Sequence, residues 1–158
     1  MPFVQAADDI PAEKDVEKAV EVRKFTWHGH PRGQGRPRFN RATGTAYKAS
    51  EDRAFENSNA AAYLAENAGK EPFQGAVCVT VTICIPIPKT ATKAAKTAIY
   101  EGKKLPIVKP DVDNVCKAVM DALNGVAYRD DKQVTQIFIH KTYAEEPGMI
   151  VHLEGGEE

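Results

Sequence analysis

Five aspartates, Asp111, Asp113, Asp121, Asp130 and Asp131, fall within 21 residues of the run KPDVDNVCKAVMDALNGVAYRDDKQV, Lys109 to Val134. Asp113 immediately precedes an apolar periodicity and is therefore expected to N-cap a helix. A cap needs one side chain, which leaves Asp111 over. Pro110 favours an extended approach to this turn, and an extended Asp-x-Asp aims both carboxylates to the same side. Carboxylates held that close repel unless a cation lies between them, and oxygen ligands of this hardness select Mg²⁺ or Mn²⁺. Along the helix, Asp113, Lys117 and Asp121 recur at i, i+4 and i+8 and share one face. That spacing makes either a surface ion-pair ladder, worth about 0.3–0.5 kcal/mol per pair, or a metal site with an ammonium one turn away. In the second case Lys117 could orient an attacking water or neutralise a developing phosphate charge. Asp130 and Asp131 are expected to begin a strand whose pairing brings them beside Asp111 and Asp113. On the residues alone, a divalent-metal site and a set of caps and turn aspartates both stay open.

The charge around these acids sharpens the choice. The 158 residues carry 21 Lys+Arg against 22 Asp+Glu, a formal net of −1 that taken alone speaks against a polyanionic partner. Its distribution says otherwise. Residues 1–22 sum to −4, 23–53 to +6, 86–109 to +5 and 110–131 to −3. Two basic segments thus flank the aspartates. Arg32, Arg36, Arg38 and Arg41 lie on a Gly/Pro-punctuated stretch where backbone can approach a phosphate closely. Lys89, Lys93 and Lys96 recur at helical spacing and would form a basic stripe. Hard-metal carboxylates between basic segments fit phosphodiester cleavage, with a metal activating water and Lys/Arg holding the nucleic acid.

The elements that must position these residues make an α/β (α+β) domain with a mixed sheet. Lys24–His28 alternates as a short strand, and residues 30–38 must be loop. Residues 40–47 turn around Gly44, and Lys48–Asn67 is helical, stopped by Gly69. Ala76–Pro86 is the clearest strand, with Val77, Val79, Val81, Ile83 and Ile85 on one face. Its other face holds Cys78 and Cys84, expected as buried small residues. Lys89–Glu101 is helical, Val115–Asn124 is an amphipathic helix stopped by Gly125, and Gln133–Thr142 and Met149–Leu153 are strands joined by a turn at 145–148. The expected organisation is an acidic arm over 1–22, one domain over 23–153, and a disordered tail over 154–158.

Several function classes drop out. No apolar window approaches the ~18 residues of a membrane span. Asp8 and Asp9 stand where a secretory signal would be basic, so a cytoplasmic protein is expected. Three cysteines without a C-x-x-C pair argue against both a disulfide framework and a zinc knuckle. His28 and His30 lack a third ligand for zinc. His140 and His152 read as ordinary strand residues, Trp27 reads as a core anchor rather than a base-stacking platform, and Cys116 carries no sign of reactivity. A small-molecule Asp-x-Asp phosphohydrolase is disfavoured, because the segment before Asp111 is basic and broken by Pro106.

The run Lys109-Pro110-Asp111-Val112-Asp113-Asn114, then Lys117, Asp121-Ala122-Leu123-Asn124-Gly125, Tyr128, Asp130-Asp131 and Gln133-Val134, resembles the RusA-like Holliday-junction resolvases. These crossover-junction endodeoxyribonucleases of recombination and repair are often carried by phages. The Gly35-Arg36-Pro37-Arg38 loop and the Glu145-Glu146-Pro147 turn look like the family's Gram-positive and phage branch, so the likeness spans about residues 24–153. The resemblance implies a homodimer that nicks a four-way DNA junction symmetrically with Mg²⁺, for which Mn²⁺ could substitute. It puts Asp111, Asp113 and Asp131 at the metal-binding acids, with Asp130 adjacent, and Lys117 at the catalytic lysine. The basic residues, Arg32, Arg36, Arg38, Arg41, Lys89, Lys93 and Lys96, are the candidate DNA contacts. A non-catalytic junction-binding protein is the alternative from another class.

Overall fold

The computed structural model describes residues 20–156. A four-stranded sheet in the order β1-β6-β4-β5 carries helices on one face. It is built from β1 (Glu21–His28), β4 (Val77–Pro86), β5 (Val134–Ala144) and β6 (Gly148–Gly155). A small hairpin pairs β2 (Arg38–Asn40) with β3 (Thr45–Tyr47), turning through Gly44 at φ +68°. The helices are α1 (Ser50–Glu66), α2 (Lys93–Tyr100) and α3 (Val112–Leu123). The fold is mixed α+β, as expected.

The sheet follows from its central strand. In β4 every odd residue from Val77 to Ile85 is buried and every even one half-buried, so one face meets the helices and the other stays partly open. Met149, Val151 and Leu153 of β6 and Phe25 of β1 complete the apolar floor. Phe55 and Tyr63 of α1, with Val115, Ala118, Val119 and Leu123 of α3, close it from above. Trp27 anchors α1 to β1: its ring stands edge-on to Phe55 at 4.9 Å and its Nε1 donates to Ser58 at 2.8 Å. At the far end of α1, the side chain of Arg23 donates to the Tyr63 hydroxyl at 2.9 Å, the Glu71 carbonyl at 2.8 Å and Glu21 at 2.9 Å. Arg23 and Lys70 together hold the Glu21 carboxyl down to about 2.

Several expectations change. Cys78 and Cys84 are half-buried rather than buried, because no helix among the described residues covers their face of the sheet. Strands β5 and β6 are joined through residues 145–147 but do not pair; β4 lies between them, parallel to β5 and antiparallel to β6. Helix α2 starts at Lys93, because Thr92 caps it by accepting the Ala95 amide at 3.2 Å. Lys89 therefore sits in the preceding turn, and only Lys93 and Lys96 share the helix. The expected acidic arm falls outside the described residues except for 20–22, and of the tail Glu154 and Gly155 belong to β6. No helix among the described residues is long and apolar enough to cross a membrane.

Candidate active site

Helix α3 carries the acidic run, and its start differs from the expected one. The N-cap is Asp111, extended at φ −73° and ψ 139° and making no side-chain cap hydrogen bond, while Asp113 lies inside the first turn. The Asp-x-Asp stretch is therefore helical from Val112 onward, not extended. The physical gain is similar, since a carboxylate within the first turn still faces the positive end of the helix dipole. Asp111, Asp113 and Lys117 are all exposed. The approach to Asp111 is fixed from the sheet: Lys141 of β5 donates to the carbonyls of Val108 at 2.6 Å and Pro110 at 3.1 Å. Gly125, at φ +75°, ends the helix as expected.

Asp130 and Asp131 do not begin a strand. They form a 3₁₀ turn over Asp131–Gln133 ahead of β5. The Asp130 carboxylate caps that turn by accepting the Lys132 amide at 3.0 Å, so this acid has a structural task. Gln133 locks the turn: its Oε1 accepts the amides of Arg129 and Asp130, and its Nε2 donates to the carbonyls of Phe73 and Gly75. Asp131 has its pKa raised by burial first, then by the neighbouring charges of Asp121 and Asp130, with the Tyr128 hydroxyl acting the other way. The same surroundings push the Tyr128 phenol upward.

Asp121, on the α3 face of Asp113 and Lys117, is the centre of contacts not foreseen from sequence. Its Oδ2 accepts from Lys48 at 3.0 Å and from Gln34 Nε2 at 2.8 Å. Lys48 also donates to Glu56 of α1 at 2.6 Å, and these two carboxylates hold its pKa up against burial. Gln34 further ties the basic loop to α3, its amide donating to the Asn114 carbonyl at 3.1 Å. The loop can lie this close because residue 33 is glycine; a Cβ there would stand 2.6 Å from Asn114 Cβ. A cavity of about 360 Å³ opens at this seam, lined by Pro31–Gln34 on one side and by Lys109, Pro110, Asp111 and Asn114 on the other.

Among the expected phosphate contacts, Arg32 is paired at 2.9 Å with Asp52, a carboxylate only 3% exposed that also accepts the Gly35 amide. This pair shapes the loop. Arg36, Arg38 and Arg41 are exposed on the loop and hairpin, as are Lys89, Lys93 and Lys96 around the start of α2. Cys116 is half-buried on α3, its thiol pushed up by burial and by Asp113. Lys48, Glu56, Gln34 and Asp52 were missed because their partners lie 8 to 87 residues away and no local pattern marks them.

A divalent cation fits these residues in donor chemistry. The donors are carboxylate oxygens, burial and then the negative charges of Asp121 and Asp130 raise Asp131, and the Gln34 Oε1 is buried with no hydrogen-bond partner. In number the fit is sparse: among the described residues no three His, Cys, Asp or Glu side chains stand grouped to hold a metal ion. Mg²⁺ commonly keeps several waters and takes only one or two protein carboxylates.

The α+β domain sets the acidic face of α3 beside a loop that carries arginines. Comparison with known proteins gives its family. The family model described as Endodeoxyribonuclease RusA matches residues 28–154. A protein of Bacillus subtilis (strain 168) named "Uncharacterized protein YqaN" is 36% identical over 131 residues, covering 81% of this chain and 92% of its own length. The chain belongs to the RusA endodeoxyribonuclease family. Nucleases of that family are in general divalent-metal dependent.

Proposed function

We propose that the protein is a structure-selective endonuclease that resolves four-way DNA junctions in recombination and repair, with Mg²⁺ as its metal and a homodimer as its working form. The observation that carries this reading is the family match over residues 28–154, which spans every acid of the motif. A four-way junction has two equivalent scissile phosphates, and an isologous dimer presents two equivalent sites to them.

One or two of Asp111, Asp113 and Asp131 would hold the cation, with waters completing its shell; when bound it would supply a water of lowered pKa and charge stabilisation at the scissile phosphate. Lys117, one turn beyond Asp113, keeps an exposed ammonium on the same helix face, where it can orient that water or offset charge on the phosphoryl oxygens. Asp130 and Gln133 hold the turn that presents Asp131. Lys48 and Gln34 hold Asp121, and with it the loop that carries Arg36 and Arg38. The exposed arginines and lysines would take backbone phosphates.

The test is a labelled four-way junction with and without Mg²⁺. The wild-type chain should nick it symmetrically only with the metal, and Asp113→Asn should lose cleavage while still binding the junction. Undiminished cleavage by Asp113→Asn removes that residue from the machinery. A second reading, junction binding without cleavage, is favoured by the lack of a three-carboxylate group among the described residues. Binding with no nicks under any divalent metal would establish it.

A further inference from the structure

Away from the aspartates, hairpin β2–β3 and the first turns of α1 enclose an open cavity of about 440 Å³. Its walls carry Arg38, Tyr47, Ser50, Arg53 and Asn57. Arg38 and Tyr47 are directly opposed across the hairpin, and Arg53 comes from the second turn of α1, so separate elements converge on the hollow. Lys48 also lines it, but its ammonium is already committed to Glu56 and Asp121. Among the described residues neither Arg38 nor Arg53 makes an ion pair or a side-chain hydrogen bond. Two forked cations therefore face the cavity uncommitted, beside a tyrosine ring that is 43% exposed.

The chemistry of these walls selects among ligands. Guanidinium groups match the oxygens of a phosphate in a bidentate fork. A tyrosine ring at the rim offers a face on which a base can stack. A carboxylate set against an anion here is the exposed Glu51, its pKa lowered first by its own backbone amide and then by the charges of Arg38 and Arg32. An incoming phosphate would feel its repulsion without having to break an ion pair with Arg38.

We propose that this cavity is a DNA-holding subsite, separate from the aspartate cluster, in which Arg38 and Arg53 grip one backbone phosphate while Tyr47 stacks on the adjoining base. The proposal rests on the reading of DNA as substrate and gives that reading a second, metal-independent point of contact. The link to the aspartates is structural: Lys48, in the cavity wall, also holds Asp121 at 3.0 Å.

The experiment is fluorescence anisotropy of a labelled four-way junction and a matched duplex, in EDTA, over a series of salt concentrations. The double variant Arg38→Ala/Arg53→Ala should bind about tenfold or more weakly, and its log K against log salt should flatten by about 1, as for one phosphate. Tyr47→Ala should weaken binding without changing that slope, and Glu51→Gln should tighten it. Arg53→Lys should restore the slope but not the full affinity, which separates the fork from simple charge. Lys70→Ala, at the other end of the 17-residue α1 and so roughly 25 Å away, should change affinity less than twofold. Wild-type affinity and slope in the arginine double variant, or a loss no larger than that of Lys70→Ala, would overturn the subsite alone. No DNA binding by the wild-type chain would overturn both the subsite and the reading beneath it.

Discussion

Replacing Lys48 by Met keeps most of its unbranched apolar stem and removes the ammonium, with its charge and its hydrogen-bond donors. In the wild type that ammonium bridges Glu56 at 2.6 Å and Asp121 at 3.0 Å, with side-chain exposures of 31% for Lys48, 16% for Glu56 and 31% for Asp121. Fully exposed pairs contribute about 0–1 kcal/mol, and breaking a buried pair costs about 3–5 kcal/mol. The partial exposure here places the loss between them, at about 2 kcal/mol for both contacts together. In a domain of this size that lowers Tm by about 4–8 °C. Urea unfolding followed by far-UV circular dichroism and by the single tryptophan, Trp27, measures it, because Trp27 sits on α1 through Phe55 and Ser58. The folded pKa of Lys48 is raised, so its contribution is complete below the unfolded lysine value and is lost only as pH rises through the folded one. The loss should accordingly be equal at pH 6 and pH 8. Combined with Asp121→Asn, the two changes should couple by about 1 kcal/mol. A single-variant loss under about 0.5 kcal/mol, the usual range for neutral surface changes, or strict additivity would refute the clamp.

Gly33→Ala should force the loop off α3, since the added Cβ meets Asn114 Cβ at 2.6 Å; a cost of about 1–3 kcal/mol with weakened junction cleavage is expected, read by urea midpoint and gel assay. Asp131 has a raised pKa, so its folded form is favoured below the unfolded carboxyl value and that advantage is lost as pH rises through the folded one. Asp131→Asn should therefore raise Tm at pH 7, with the gain fading below about pH 4, and scanning calorimetry across that window checks the sign. Arg23→Leu strands the Tyr63 hydroxyl, the Glu71 carbonyl and Glu21, and should cost about 3 kcal/mol by urea titration.

What the sequence made legible was what repeats at short range. The alternation from Val77 to Ile85 located β4 and its buried face, and the spacing of Val115, Ala118, Val119, Ala122 and Leu123 located α3. Exact starts were harder, because two acids at 111 and 113 are each acceptable caps; the helix begins after the first, with Asp113 still near its positive end. Asp130 and Asp131 read as the opening of the strand expected at Gln133–Thr142, whereas the Gln133 side chain accepts the amides of Arg129 and Asp130 and curls the segment into a turn. The Lys48–Asp121 pair spans 73 residues, so neither partner carries a local mark of the other. It exists because α1 and α3 share the core.

The pairing of the first strand with the last has its own reach. Glu21 stands opposite Gly155 in the β1–β6 register, so the two ends of the sheet-forming chain leave the fold side by side. Neighbours across such a pair are only about 5 Å apart, a gap that a few linker residues can span. The order in which the chain visits its elements is then separable from the fold. A circular permutant joined from 155 to 21 and opened in the exposed turn Glu101–Lys104 would keep every strand pair and leave Lys109–Val134 uncut. New termini would then flank the segment between α2 and the acidic helix, putting a reporter fused there within reach of the aspartate face while the original ends stay sealed.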